Sequence, residues 1–266
     1  MEADTKVTPG ERQQEFIEKE HLHKRKVTIC RTMLLVLFLA VWELCARLEI
    51  IDDFIFSSPS RVFQCFWNMT SDGSIFEHIG VTLFETLLSF LLVVVLGIAM
   101  AVLLWSSRTV SEILEPYLVM LNSLPKSALA PMLIVWMGNH IHTIVAAAVS
   151  VAVFGSVLTL YHGFREMDPD KMKLIYSLGG TKRDVFLKVL LPGSIPMIIS
   201  NMKVNVGLCL VGVIIGEFLT AQKGLGYLII YASQIFKLDM VMMSIIILCI
   251  VSAGLYQCIS WLEKKI

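Results

Sequence analysis

Long apolar stretches dominate the sequence, and they are long enough to cross a membrane. A helix needs about 20 apolar residues to span the hydrocarbon core of a bilayer. Six stretches meet or approach this length, at residues 28–48, 82–105, 117–137, 141–161, 196–219 and 240–262. Hydrophobic residues make up 56% of the 266 positions, above the roughly 45–50% of soluble domains. The pattern predicts an all-α polytopic membrane protein with six transmembrane helices.

A polar, amphipathic segment at residues 168–196 separates the fourth and fifth apolar stretches. Asp168 and the proline after it are typical of a helix start, because aspartate accepts from free amides and proline fits the first turn. The glycine pair beginning at Gly179 predicts a turn, since glycine adopts backbone angles that other residues avoid. Thr181 and Asp184 predict a capping box that opens a second helix.

The same segment carries one apolar face. Its apolar side chains recur at helical spacing, as Met172, Leu174, Ile175 and Leu178. Pro192 predicts the end of the second helix, since proline breaks a helix interior. We interpret residues 168–196 as a helix-turn-helix at the membrane surface that presents its other face to the cytoplasm, and we name it the platform.

Lysine and arginine are distributed unequally between the two sides of the predicted membrane. Residues 1–31 carry seven and the loop at 162–195 carries six. The opposite side carries only Arg47, Arg61, Lys223 and Lys237. The positive-inside rule therefore predicts cytoplasmic N- and C-termini and a cytoplasmic platform. The sequence divides into a cytoplasmic N-terminal segment, 1–31, and a six-helix transmembrane domain, 32–266, which contains the cytoplasmic loop at 162–195.

Composition excludes several classes of function. The net charge of zero argues against a nucleic-acid partner. Six cysteines without CxxC spacing predict neither disulfides nor a metal site, and no GxxxxGK[ST] loop is present to bind a nucleotide phosphate. The N-terminus begins with about thirty polar residues, unlike the short charged region of a cleaved signal peptide. We expect no catalysis by the chain itself.

Three charged residues lie within or at the ends of predicted spans: Lys126, Lys203 and Glu217. Because burial of a charge in lipid is costly, each is expected to face protein or a watery path. Lys126 would meet an anionic solute and Glu217 would line an outer gate, and the alternatives are interhelical hydrogen bonds and snorkelling. Pro125 and Pro131 interrupt the third stretch, as in helices that border a pathway.

Two further pairs have structural interpretations. Glu43 and Arg47 are one turn apart and can form an ion pair or reach the interface. Gly212 and Gly216 allow another helix to approach closely, either by generic packing within the chain or at a dimer contact.

The platform resembles the cytoplasmic EAA loop of binding-protein-dependent ABC importer permeases. The glycine of that pattern matches Gly179, and its leucine-proline pair matches Leu191 and Pro192. Four other blocks match in order: WELCARL at 42–48, SPSRVF at 58–63, LPKSALAPMLIVWMG at 124–138 and GEFLTAQKGLGYLI at 216–229. Together they resemble the nitrate, sulfonate and taurine permease branch over essentially residues 33–262.

This resemblance implies a type I ABC importer permease fold in a bacterial cytoplasmic membrane. It implies a second permease copy, two ATPase subunits that use ATP and magnesium, and an extracytoplasmic solute-binding protein, with no cofactor on this chain. The residues implied in ATPase coupling are Asp168, Lys173, Ser177, Leu178, Gly179, Gly180, Thr181, Leu191 and Pro192. Lys173 departs from the pattern, which has glutamate there, so an acidic site on the ATPase is expected opposite it.

The transported solute and two alternative functions stay open at the level of sequence. The branch handles small anions such as nitrate, sulfonates and taurine, and also thiamine-precursor pyrimidines. A secondary transporter would need ion-coupling acids at mid-membrane and usually internal repeats. A non-transporting membrane scaffold subunit would not co-purify with an ATPase.

Overall fold

The structure is a computed structural model that describes residues 9–48 and 56–263. Predictions that rest on Lys6, Lys264, Lys265 and the acidic residues at 52–53 fall outside the described residues. Two compact units, residues 1–64 and 65–266, make up the chain, and each is described by itself.

The first unit contains helix α1, Pro9–Arg47, and the start of α2, Pro59–Ser71. α1 is continuous from Pro9 through most of the first predicted span. Near its end, the Glu43 carboxylate accepts from Arg47 Nε at 2.9 Å and from the backbone amide and hydroxyl of Ser60 at 3.1 and 3.0 Å. The expected pairing of Glu43 with Arg47 is confirmed, and it ties the end of α1 to the start of α2.

The second unit is entirely helical between its turns, which confirms the all-α class for the described residues. After the end of α2 its helices are α3 (Ser74–Ser106), α4 (Arg108–Ser123), α5 (Lys126–Met137), α6 (Ile141–Arg165), α7 (Pro169–Ser177), α8 (Lys182–Val185), α9 (Leu191–Thr220), α10 (Leu225–Gln234) and α11 (Leu238–Glu263).

Helix α6 is central to this unit and packs against both α3 and α9. Small side chains let the helices approach closely. A Cβ atom at Gly212 would lie 2.5 Å from the Cα of Ala148, and one at Gly216 would lie 2.9 Å from Cγ2 of Ile144. The two glycines of α9 therefore face α6 of the same chain, which agrees with generic packing within the chain.

The third predicted span is sharply broken. α4 and α5 are bent by 96° at Leu124 and Pro125. Pro125 thus interrupts the span as expected, whereas Pro131 lies inside α5 without ending it. Five helices of the described residues are long and apolar enough to cross a membrane, and the six predicted spans are reached when the bent pair counts as one.

The prediction that Pro192 ends the second platform helix is wrong. Residues 182–220 form one continuous helix, in which α8 passes through a π-helical turn at 186–190 into α9. In that turn the amide of Leu191 donates to the carbonyl of Phe186, five residues earlier. Pro192 follows in the first turn of α9, where the wider π-helical turn accommodates a residue without an amide proton. The platform therefore continues directly into a membrane span.

Replacing Gly212 with alanine tests the contact between α6 and α9. The added methyl group would meet the backbone of Ala148, so G212A should lose about 1–3 kcal/mol of stability. G207A is the matched control, because nothing lies within 4 Å of a Cβ at that position of the same helix. Thermal unfolding in detergent should show a lower midpoint for G212A alone. Equal midpoints for G212A and wild type would contradict the close approach.

Candidate functional site

The first platform helix begins as its sequence predicts. The Asp168 carboxylate accepts from the amide of Asp170 at 2.9 Å, and Pro169 occupies the first helical position of α7. Ser177, the last residue of α7, donates its hydroxyl to the carbonyl of Leu174 at 2.8 Å. The local hydrogen bonds thus close both ends of a short helix that would be marginal in isolation.

The two glycines of the turn have different structural roles. Gly179 has a φ of +82°, in the left-handed region that other residues adopt at a cost, and a Cβ there would meet no atom within 4 Å. Gly180 has an ordinary φ, but a Cβ would lie 2.8 Å from the carbonyl oxygen of Ile175. Backbone conformation therefore requires the first glycine, and close packing requires the second.

The second platform helix is anchored at its start. Thr181 and Asp184 form the predicted capping box, in which the carboxylate accepts from the Thr181 amide and hydroxyl at 2.9 and 2.7 Å. The Lys182 ammonium group donates to the carbonyl of Ser106 and lies 5.2 Å from the ring centroid of Trp105. The platform is thus attached to the end of α3 as well as to α9.

Helix α7 is not covered by other described parts of this chain. No residue of α7 is buried, and Leu174 and Leu178 are 58% and 76% exposed. Beside them the ammonium group of Lys173 pairs with the Asp170 carboxylate at 2.9 Å, with both side chains exposed. An exposed apolar patch with a polar rim is typical of a protein-interaction surface.

Lys126 and Lys203, expected near a translocation path, have separate contacts. Lys126 lies at the start of α5 and donates to the carbonyl of Asn122 across the break. Lys203 of α9 pairs with Glu263 at the end of α11, and its ammonium group lies 5.8 Å from the ring centroid of Tyr256. The structure does not bring these two lysines together, and their role in a path stays a prediction.

Glu217 is buried within the protomer, at the end of α9 opposite the platform. The residue is only 1% exposed. Thr82 of α3 donates its hydroxyl to Oε1 at 2.6 Å, and the amides of Gly226 and Tyr227 donate to the same carboxylate. These amides belong to the first turn of α10, so the carboxyl group of Glu217 caps the start of that helix. Its predicted role in a gate is untested, and these contacts instead join three helices.

A second buried acid, Glu85, lies beside Glu217 and was not among the residues predicted from the sequence. It lies one turn after Thr82 on α3, is 3% exposed, and is within hydrogen-bonding distance of Glu217. An acidic residue inside the span at 82–105 was a usable signal, because ionisable residues in membrane helices are rare and face protein or water. Thr82, Glu85, Glu217 and the amides of residues 225–227 are named the carboxyl cluster below.

These features define a polytopic helical membrane protein whose exposed platform continues into a membrane span. The chain matches the family of binding-protein-dependent transport system inner membrane components over residues 93–266. It belongs to that family and is a permease subunit of an ABC importer.

Curated relatives cover most of the chain. A "Probable ABC transporter permease protein" of Haemophilus influenzae is 31% identical over 90% of this chain and 98% of the relative. The formylaminopyrimidine transport permease protein of Halalkalibacterium halodurans is 29% identical over 74% and 78%, and a putative aliphatic sulfonates transport permease protein of Bacillus subtilis is 25% identical over 95% and 91%. All three are named as permease proteins.

A solved structure of similar fold supports the architecture. The MetNI methionine ABC transporter in an inward-facing conformation matches with a TM-score of 0.66 and 15% identity, over 74% of this chain and 97% of that chain. At this identity the likeness establishes the fold alone, which is the type I importer permease fold expected from the sequence.

Replacing Thr82 with valine tests the carboxyl cluster. The hydroxyl accepts from the Leu225 amide at 2.8 Å and donates to Glu217, so T82V leaves two buried polar groups without this partner. The expected loss of stability is about 1–3 kcal/mol.

T86V is the matched control for this change. The buried Thr86 hydroxyl donates only to the backbone carbonyl of Thr82 in its own helix, so its loss should have little effect. Limited proteolysis at residues 220–224 and thermal unfolding measure both variants. Equal protection of T82V and T86V would show that the hydroxyl does not hold the segment.

Proposed function

We propose that two copies of this permease form the translocation path for a small solute, with two ATPase subunits docked on the platforms. An extracytoplasmic solute-binding protein would deliver the solute on the side of the membrane opposite the ATPase subunits. In this arrangement the termini and the platform are cytoplasmic, as the distribution of lysine and arginine predicts. ATP and magnesium would be used by the ATPase subunits.

The observation that carries the docking proposal is the form of the platform. It combines an exposed apolar patch, at Leu174 and Leu178, with a rigid connection through residues 182–220 into a membrane span. A rigid helix would transmit closure of the ATPase subunits as a tilt, whereas a flexible loop would absorb it. We assign Asp168, Lys173, Ser177, Leu178, Gly179, Gly180, Thr181, Leu191 and Pro192 to this coupling.

The proposed solute is a small sulfonate or nitrate-like anion, or a thiamine-precursor-like pyrimidine. The names of relatives support this range, since they include sulfonate, taurine and formylaminopyrimidine permeases. The binding protein encoded beside this permease is the direct test. Calorimetric titration of that protein with taurine, an alkanesulfonate, nitrate and formylaminopyrimidine should give tight binding for one class, and binding of none would reject the range.

Two substitutions at Gly179 test coupling. Because φ is +82°, valine strains the turn while asparagine tolerates it, and a Cβ atom at this position meets no atom within 4 Å. G179V should reduce uptake and ATPase stimulation by loaded binding protein several-fold in proteoliposomes, and G179N should stay near wild type. Wild-type coupling in G179V would remove the platform from the mechanism.

Charge reversal at Lys173 tests the acidic partner site. K173E should weaken retention of the ATPase, because two like charges would meet at the interface. The substitution also breaks the ion pair with Asp170, so the double variant D170K/K173E is the control that restores a pair within α7. Pull-down should show weak retention in both variants. Recovery in the double variant would assign the effect to α7 itself, and unchanged retention in K173E would reject the acidic site.

A further inference from the structure

The two carboxyl groups of the carboxyl cluster differ in the hydrogen-bond donors that they meet. The Thr82 hydroxyl accepts from the Leu225 amide, so its single proton is directed to Oε1 of Glu217. The Gly226 amide donates to Oε2. Both oxygens of Glu217 are therefore acceptors, and the N-terminus of α10 stabilises its negative charge.

Glu85 has no such donors. Its Oε2 atom is buried without a hydrogen-bond partner, and its carboxyl group lies within hydrogen-bonding distance of Glu217. Two ionised carboxylates have no proton to share, so a hydrogen bond between them requires one to be protonated. Since Glu217 already accepts at both oxygens, the proton belongs to Glu85.

The charged and titratable groups near the cluster are otherwise engaged. On α3, Glu77 pairs with Lys223 from the turn before α10, and His78 Nδ1 lies 3.1 Å from the backbone amide and carbonyl of Gly224. Tyr227 of α10 stacks on the His78 ring. From the start of α6, His140 lines a cavity that Glu85 also lines. Lys223 lines the same cavity but pairs with Glu77, and among the described residues no lysine or arginine forms a salt bridge with Glu85 or Glu217.

We propose that Glu85 and Glu217 form a proton-binding site, in which Glu85 carries the proton and the protonated pair holds α10 against α3. The proton reaches the site through the cavity, which has a volume of about 380 Å³ and is lined by polar groups that include Asn139, His140 and Gln222. A cavity of this size and polarity holds water. Nothing in ATP-driven import requires such a site, so the inference is independent of the proposed coupling.

Deprotonation would weaken the attachment of α10. A second negative charge beside Glu217 would be buried without a partner, in surroundings of low dielectric constant. A glutamate in the unfolded chain is ionised at neutral pH, so unfolding releases the proton of Glu85, and raising the pH favours unfolding. Glu85 acts here as a positioning residue through Glu217.

Infrared spectroscopy of the full permease in nanodiscs tests where the proton lies. A carboxylic-acid carbonyl band should persist at neutral pH in wild type and in E112Q, a control that changes an exposed glutamate. The band should be lost in E85Q, whose amide still donates to Glu217. Survival of the band in E85Q would overturn the assignment.

A titration of wild type needs no variant. Protein labelled with ¹³C-glutamate should show an isotope-shifted carboxylic-acid band at neutral pH that disappears on alkaline titration, together with a falling unfolding temperature. In E85Q the unfolding temperature should lose this dependence on alkaline pH. Absence of a shifted band in labelled wild type would overturn the proposal, whatever the outcome of transport assays.

Discussion

The structure depends on one constraint: inside a bilayer, each polar group must find its partner within the protein. Backbone amides and carbonyls meet this demand in helices, and for this reason the described residues of the second unit are helical wherever they are not turning. Side chains follow the same rule. The buried hydroxyl of Ser156 on α6, for example, is met by the side-chain amides of Asn201 and Asn205 on α9, at 2.8 and 2.9 Å.

The same constraint explains where charges lie. Lys203 is paired with Glu263, and Glu217 is surrounded by donors from α3 and α10. A charge with a partner inside the protein does not need a watery path, so its presence in a span does not by itself locate one. The broken helix at Pro125 is a different case, because its freed polar groups lie at a bend where the Lys126 side chain returns to the carbonyl of Asn122.

Features governed by local chemistry could be predicted from the sequence. The Asp168 cap, the left-handed Gly179 and the capping box of Thr181 all depend on residues within a few positions of one another, and all three are present. The predicted stop at Pro192 failed because proline disfavours a helix interior but is tolerated in a first turn. Pro192 is tolerated because a π-helical turn precedes it, and no spacing in the sequence indicates that turn.

Features that depend on residues far apart in the sequence were harder to predict. Glu217 was singled out as an acid in a span, yet its partners Thr82 and Gly226 lie 135 residues earlier and nine residues later. Glu85 carried the same signal and was overlooked, since its position near the start of a long apolar stretch resembles that of an interfacial residue. Only the packing of α3 against α9 and α10 brings the two acids together.

The helix at 182–220 connects the platform with the carboxyl cluster. It begins at the capping box of the platform and ends at Thr220, three residues after Glu217, so its 39 residues extend about 58 Å. Under the proposed coupling, a tilt imposed at Lys182 would reach the carboxyl cluster through a single rigid element. Movement of Glu217 would alter its contacts with Thr82, with the amides of α10 and with Glu85 together, because all of them meet at one carboxylate. The far end of the helix is thus the place where a change at the platform would be converted into a change in hydrogen bonding.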